Sequence, residues 1–125
     1  MSCGTNQITN LDVSNNTVIV KLVCGDNQLT SLDVSNNTVI VRLFCSDNQL
    51  TSLDVSNNTA LDFLICNNNQ LTSLDISNNI ALTTIYLKDM PSLNKVCVWE
   101  MPFPPAGVEV DTTDSPNVYF TTDCN

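Results

Sequence analysis

The chain has no histidine and only four lysines and arginines among its 125 residues. Without imidazole it lacks the commonest general base, the Ser-His and Cys-His dyads, and the commonest metal ligand. That argues against most enzymes, and neither catalytic residues nor a cofactor is expected. Thirteen acidic residues against four basic ones give a formal charge of −9. The resulting field repels phosphate backbones and anionic headgroups, so nucleic acid is not an expected partner. No stretch approaches the roughly 20 apolar residues of a membrane-spanning helix, so no membrane insertion is expected. Met1-Ser2-Cys3-Gly4 also lacks the basic and apolar regions of a signal peptide.

What is present is a repeat. Asn27-Gln28-Leu29-Thr30-Ser31-Leu32-Asp33-Val34-Ser35-Asn36-Asn37-Thr38 returns unchanged from Asn48 to Thr59 and almost unchanged from Asn69 to Asn79, each time 21 residues on. At that period each repeat is one supersecondary unit that cannot bury its apolar face alone, and stacking neighbours build a continuous core. The expected division is a solenoid over residues 1–95 and a capping segment over 96–125 of a single domain. Cys3, Asn6, Ile8 and Leu11 fall in the columns of Cys24, Asn27, Leu29 and Leu32, so the chain enters the pattern in mid-unit. The expectation is an N-terminally trimmed form, the alternative a naturally short protein. In either case the open first coil is expected to fray or to pair end to end with a second copy.

Read by column, one unit is Ile19-x-x-Leu22-x-Cys24-x-x-Asn27-x-Leu29-x-x-Leu32-x-Val34-x-x-Asn37. In Leu22-Val23-Cys24 and in Leu32-Asp33-Val34 apolar residues alternate with variable or polar ones, the period of a strand with one buried face. Two short strands per coil, paired in parallel at about 4.8 Å, predict a right-handed, mostly β solenoid with strands on two sides. Twenty-one residues leave no room for a helix. Leu11, Leu32, Leu53 and Leu74, with Val13, Val34, Val55 and Ile76, should line the core. Asn6, Asn27, Asn48 and Asn69, and likewise Asn16, Asn37, Asn58 and Asn79, should turn inward at the corners and satisfy backbone groups of their own and neighbouring coils.

Cys3, Cys24, Cys45 and Cys66 occupy one more inward column, where a free Cys behaves as a small apolar residue. A metal or redox ladder is the weaker reading, because the column has no second ligand type and no C-x-x-C spacing. Neighbouring Cβ vectors run parallel, which argues against disulfides along it.

The doubled pattern L-x-x-L-x-L-x-x-N resembles the leucine-rich repeats, and its nesting within 21 residues is similar to the bacterial class called IRREKO repeats. The resemblance covers about residues 3 to 95. It implies a right-handed leucine-rich-repeat coil with little or no helix that binds partners through the face of its first strand. After Leu87 the period fails and the Asn column ends at Met90. Trp99, Met101, Phe103, Tyr119 and Phe120 then enter with four of the five prolines and are expected to cover the open strand edges. Cys97 and Cys124 flank this segment, which resembles the cysteine-bearing caps of secreted bacterial leucine-rich-repeat proteins. A Cys97–Cys124 disulfide would stabilise by about 3 kcal/mol on the chain-entropy model and imply an oxidising, secreted or cell-surface location. Two more reduced thiols are the alternative.

Outward positions divide into a variable and an invariant set. The column Val23, Phe44, Ile65, Tyr86 forms an apolar and aromatic stripe flanked by Lys21 and Arg42, with Phe63 and Asp62 in adjacent variable columns. Such a stripe suits a protein partner, although β-branched and aromatic residues also favour strands for their own sake. The invariant set includes Asp12, Asp33, Asp54 and Asp75, whose stacked charges repel by just under ~1 kcal/mol per adjacent pair even in water. Calcium could offset that. The simpler reading is that each carboxylate accepts hydrogen bonds from nearby Ser, Thr or backbone donors and stays solvated. The Thr9, Thr30, Thr51, Thr72 column suggests a lattice-matching surface, which the adjoining Asp charges disfavour. The expected function is non-catalytic recognition of a protein. The alternative is a spacer module of a larger secreted or surface protein, calcium-stabilised through the Asp ladder.

Overall fold

A computed structural model describes residues 1–125. It contains eight three-residue strands and no helix: β1 (Lys21–Val23), β2 (Arg42–Phe44), β3 (Phe63–Ile65), β4 (Ser73–Asp75), β5 (Thr84–Tyr86), β6 (Lys95–Cys97), β7 (Glu109–Asp111) and β8 (Tyr119–Thr121). All pairings are parallel. The first sheet runs β1-β2-β3-β5-β7 and the second β4-β6-β8, on two sides of a stack of coils. Leu22, Leu43, Leu64 and Ile85 are register partners at the centres of successive strands and are fully buried. Identical side chains at one period therefore stack into columns, and the columns merge into one core that no single coil could close.

The first corner is held by amides. Asn48 Nδ2 donates to the carbonyls of Cys24, Cys45 and Ser46, and its Oδ1 accepts from Leu29 N–H. Asn27 and Asn69 repeat the arrangement. One residue earlier in each coil the backbone turns through positive φ, at Thr5, Asp26, Asp47, Asn68, Asp89 and Asp114. Asp and Asn tolerate the left-handed region better than other residues with a Cβ, which explains why that column is almost entirely Asp or Asn.

The second side departs from the expected pair of strands per coil. Only the last coils form the second sheet; Leu11 to Val13, Leu32 to Val34 and Leu53 to Val55 are not strands. There Asn37 Nδ2 donates to Val13 O and Asn16 O, and Asn58 and Asn79 do the same one and two coils on. These side-chain bonds join neighbouring coils where no backbone ladder forms. Past Asn79 the column ends, and direct pairing takes over, with Ile76 N–H donating to Cys97 O at 2.9 Å.

The failure of the period after Leu87 is one of spacing, because both ladders continue. Tyr86 pairs with Asp111 and Val96 with Phe120, so β7 and β8 extend the two sheets through a longer final coil. Ser115, buried, stands where Asn stood: its hydroxyl donates to Leu87 O and accepts from Met90 N–H. Trp99, Phe103 and Phe120 pack against the core, with ring centroids 5.1 Å apart for Trp99 and Phe103 and 4.9 Å for Phe103 and Phe120. Met101 and Tyr119, expected to join them, face solvent instead. In the three-residue strand β8 the centre, Phe120, takes the inward position, which turns Tyr119 outward. Cys97 and Cys124 form the disulfide, with a Cα separation of 5.4 Å.

Candidate functional site

The first sheet brings the variable residues together on one outward face. Val23, Phe44, Ile65 and Tyr86 are successive register partners, as are Lys21, Arg42, Phe63 and Thr84. Each sits at the end of a strand whose central residue points into the core, so the pleat aims it outward. The stripe is half-buried rather than fully exposed. Lys21 Nζ lies 5.4 Å from the centre of the Phe44 ring, and Arg42 Cζ lies 4.9 Å from that of Phe63. Tyr86 Oη donates to Glu109 Oε1 at 2.8 Å; that bond, more than the partial burial, raises the phenol above its usual range. Asp62 accepts from the Thr83 hydroxyl, which leaves it partly engaged.

Sequence reasoning overlooked the most exposed apolar side chains. Val18 is 83% exposed and Ile80 70%, and Val39 is also exposed. They lie in the turns leading to the first sheet. The detectable signal was the column Val18, Val39, Ala60, Ala81, apolar where a solvent turn has no need of it. Conversely, Ser46 and Asn67, outward and variable in the sequence, serve the backbone of the next coil: Ser46 Oγ accepts from Asn67 N–H and Asn67 Oδ1 from Lys88 N–H.

On the opposite side Asp12, Asp33, Asp54 and Asp75 form the expected exposed column. In each, Oδ1 accepts the N–H of the Ser two residues on at 2.9 Å, and in the last two the Ser hydroxyl adds a bond at 2.6 Å. The bonds from Ser14, Ser35 and Ser56 hold the carboxyls of Asp12, Asp33 and Asp54 below the usual range. Shallow polar grooves lie between consecutive coils, such as the one lined by Ser52, Asp54, Ser56, Ser73 and Asp75. Asp75 also lies within 4.8 Å of the Cys97 and Cys124 sulfurs. Those sulfurs are joined to each other, so they offer no thiolate to a metal.

The inward cysteines stack as a column of free thiols, Cys24, Cys45 and Cys66 fully buried and Cys3 partly so. Burial pushes Cys24 and Cys66 up to about 12 and raises Cys45 as well, so at neutral pH the column is apolar filling. The same feature marks a solved structure. The functional domain of InlJ from Listeria monocytogenes, which includes a cysteine ladder, matches this fold with a TM-score of 0.84 and 31% identity over 94% of the chain. The chain is a leucine-rich-repeat solenoid of the kind that this bacterial domain carries. A second leucine-rich-repeat structure, the internalin InlF from Listeria monocytogenes, matches at a TM-score of 0.64 over 96% of the chain; at 20% identity it supports the fold alone. This chain spans 25% of the length of the InlJ domain and 39% of the InlF chain. No family model and no curated protein matches the sequence. No helix of this repeat protein is long and apolar enough to cross a membrane.

Proposed function

We propose that the chain is a non-catalytic recognition module that binds a protein through the outward face of its first sheet. The observation that carries this reading is the contrast within the repeat. Twelve residues from Asn27 recur unchanged at Asn48, while the first-strand positions change from Lys21 and Val23 to Arg42 and Phe44, Phe63 and Ile65, Thr84 and Tyr86. Identity suffices to stack coils; a shaped surface needs difference. Aromatic residues and Arg, concentrated there, are the side chains most often found at binding hot spots. The exposed Val18, Val20 and Val39 extend the apolar border beside β1 and β2. The Cys97–Cys124 disulfide supports a secreted or surface location.

The test is selection of displayed random peptides on the whole chain, followed by measurement on the F44S/Y86S variant. Binders should converge on the first sheet and lose about a hundredfold or more in affinity on that variant, as loss of hot-spot side chains does. Binders that retain full affinity would overturn the reading. One observation favours the spacer alternative: the side opposite the first sheet repeats the same Asp and Ser pair from coil to coil. Calcium stabilisation through Asp12, Asp33, Asp54 and Asp75 belongs to that alternative, and a melt with and without millimolar calcium tests it. End-to-end pairing through the first coil is a separate proposal, tested by sedimentation across a concentration series.

A further inference from the structure

Three of the four basic residues of this acidic chain, Lys21, Arg42 and Lys88, lie on or directly beside the first sheet, and Lys95 lies in β6 of the second. Lys21 and Arg42 are direct register partners, both exposed, on strands about 4.8 Å apart. Like charges in that relation are mutually unfavourable. Thirteen acidic residues are available in the chain, yet no salt bridge within 4.0 Å neutralises either cation. Each instead rests over an aromatic ring of the next strand, Lys21 over Phe44 and Arg42 over Phe63. Lys88 differs, since it sits close enough to Asp111 to help lower that carboxyl, after the bonds from Thr113. At the far end of the same face, four strand steps or about 19 Å from β1, stand Glu109 and Asp111 of β7. The face is thus bipolar, with two uncompensated cations on aromatic supports at one end and carboxylates at the other.

Building on the recognition reading, we infer that this face takes a segment of a partner protein that sets an acidic side chain against Lys21 and Arg42 and an adjoining apolar side chain on Phe44 and Ile65. The guanidinium fork matches a carboxylate in two parallel hydrogen bonds, and Lys21 adds a point charge on the other flank. The rings hold both cations in place and displace water beside them, which strengthens the pairing. Extended polyanions do not fit, because beyond the cation pair they meet Asp62, Glu109 and Asp111 in a chain of charge −9. The cation pair also fixes the direction in which the partner lies along the sheet.

Peptides selected on the whole chain are measured against wild type, K21Q/R42Q, K21E/R42E and F44S/Y86S, with thermal melts confirming that each variant is folded. Selected sequences should be rich in Asp or Glu next to an aromatic or aliphatic residue. Their affinity should fall about tenfold on K21Q/R42Q, further on K21E/R42E, and with rising salt. Peptides that lose binding on F44S/Y86S, carry no acidic bias and bind K21E/R42E as well as wild type would overturn this inference and leave the recognition reading standing. Peptides indifferent to F44S/Y86S, or a selection that yields no binder, would overturn both.

Discussion

The two sides of each coil share the same kind of interior and differ in what they show to solvent. Both place a leucine column on the core, Leu22, Leu43 and Leu64 on one side and Leu32, Leu53 and Leu74 on the other, all buried. Outside, the first sheet changes at every step, whereas the opposite side repeats Asp and Ser and closes each carboxylate on its own Ser N–H. On the repeated side each outward carboxylate has a donor within its own coil. The variable side keeps Lys21 and Arg42 with no partner but an aromatic ring. Stacking energy therefore says nothing about function here, since both sides supply it; the unsatisfied surface does.

The largest break in the comparison should come at the disulfide, which ties only the C-terminal end of the repeated side. Cys124→Ser should lower stability by about 3 kcal/mol, with hydrogen exchange rising first in β8 and β6 while β1 to β3 stay protected. Equal loosening of both sheets would show that the two sides are not separable. Next come the corners. Asn48→Ala removes three donated bonds and one accepted bond and should cost about 3 kcal/mol. Asn58→Ala removes two, and the Asn58 Oδ1 has no protein partner to lose, so about half that cost is expected in denaturant melts.

Titration separates exterior from interior. The carboxyls of Asp12, Asp33 and Asp54 are depressed by their Ser partners, so their contribution is present above the unfolded value of 3.8 and is lost as pH falls through and below it. The ladder thiols are raised by burial. Unfolded thiols ionise around pH 9.0 while native Cys24 and Cys66 stay neutral to about 12, so stability is whole below 9.0 and declines as pH climbs toward 12. Thiol labelling under native conditions should follow the same order, Cys3 reacting before Cys24, Cys45 and Cys66. The smallest effect is expected at the left-handed corner: Asp26→Gly, at φ 54°, should change stability by no more than a few tenths of a kcal/mol, because relief at positive φ offsets the added freedom of the unfolded chain.

The core columns, the inward thiols and, beyond the first coil, where Asn6 and Asn16 stay exposed, the corner amides were legible in the sequence because a strict period turns each residue type into a line on the structure. The Cys97–Cys124 pair stood out because neither residue keeps the period. What the period could not reveal depends on spacing between coils or on single residues. Leu32 to Val34 form no strand, and the Asn37 and Asn58 amides join the coils there in place of a backbone ladder, which the alternation of apolar residues alone does not show. Ser115 replaces a corner Asn only because the last coil is longer, with Tyr86 pairing 25 residues on at Asp111. The seating of Lys21 over the Phe44 ring needs the diagonal geometry of a parallel sheet, whereas Arg42 lies over Phe63, its direct register partner.

The most direct measurement sets one side against the other. Peptides selected on the whole chain are tested on F44S/Y86S and on D33N/D54N, which remove the outward chemistry of the first sheet and of the repeated side respectively. Recognition through the first sheet predicts that F44S/Y86S abolishes binding and D33N/D54N leaves it unchanged. Binding that survives F44S/Y86S and is lost in D33N/D54N would contradict the account and move the functional surface to the Asp ladder.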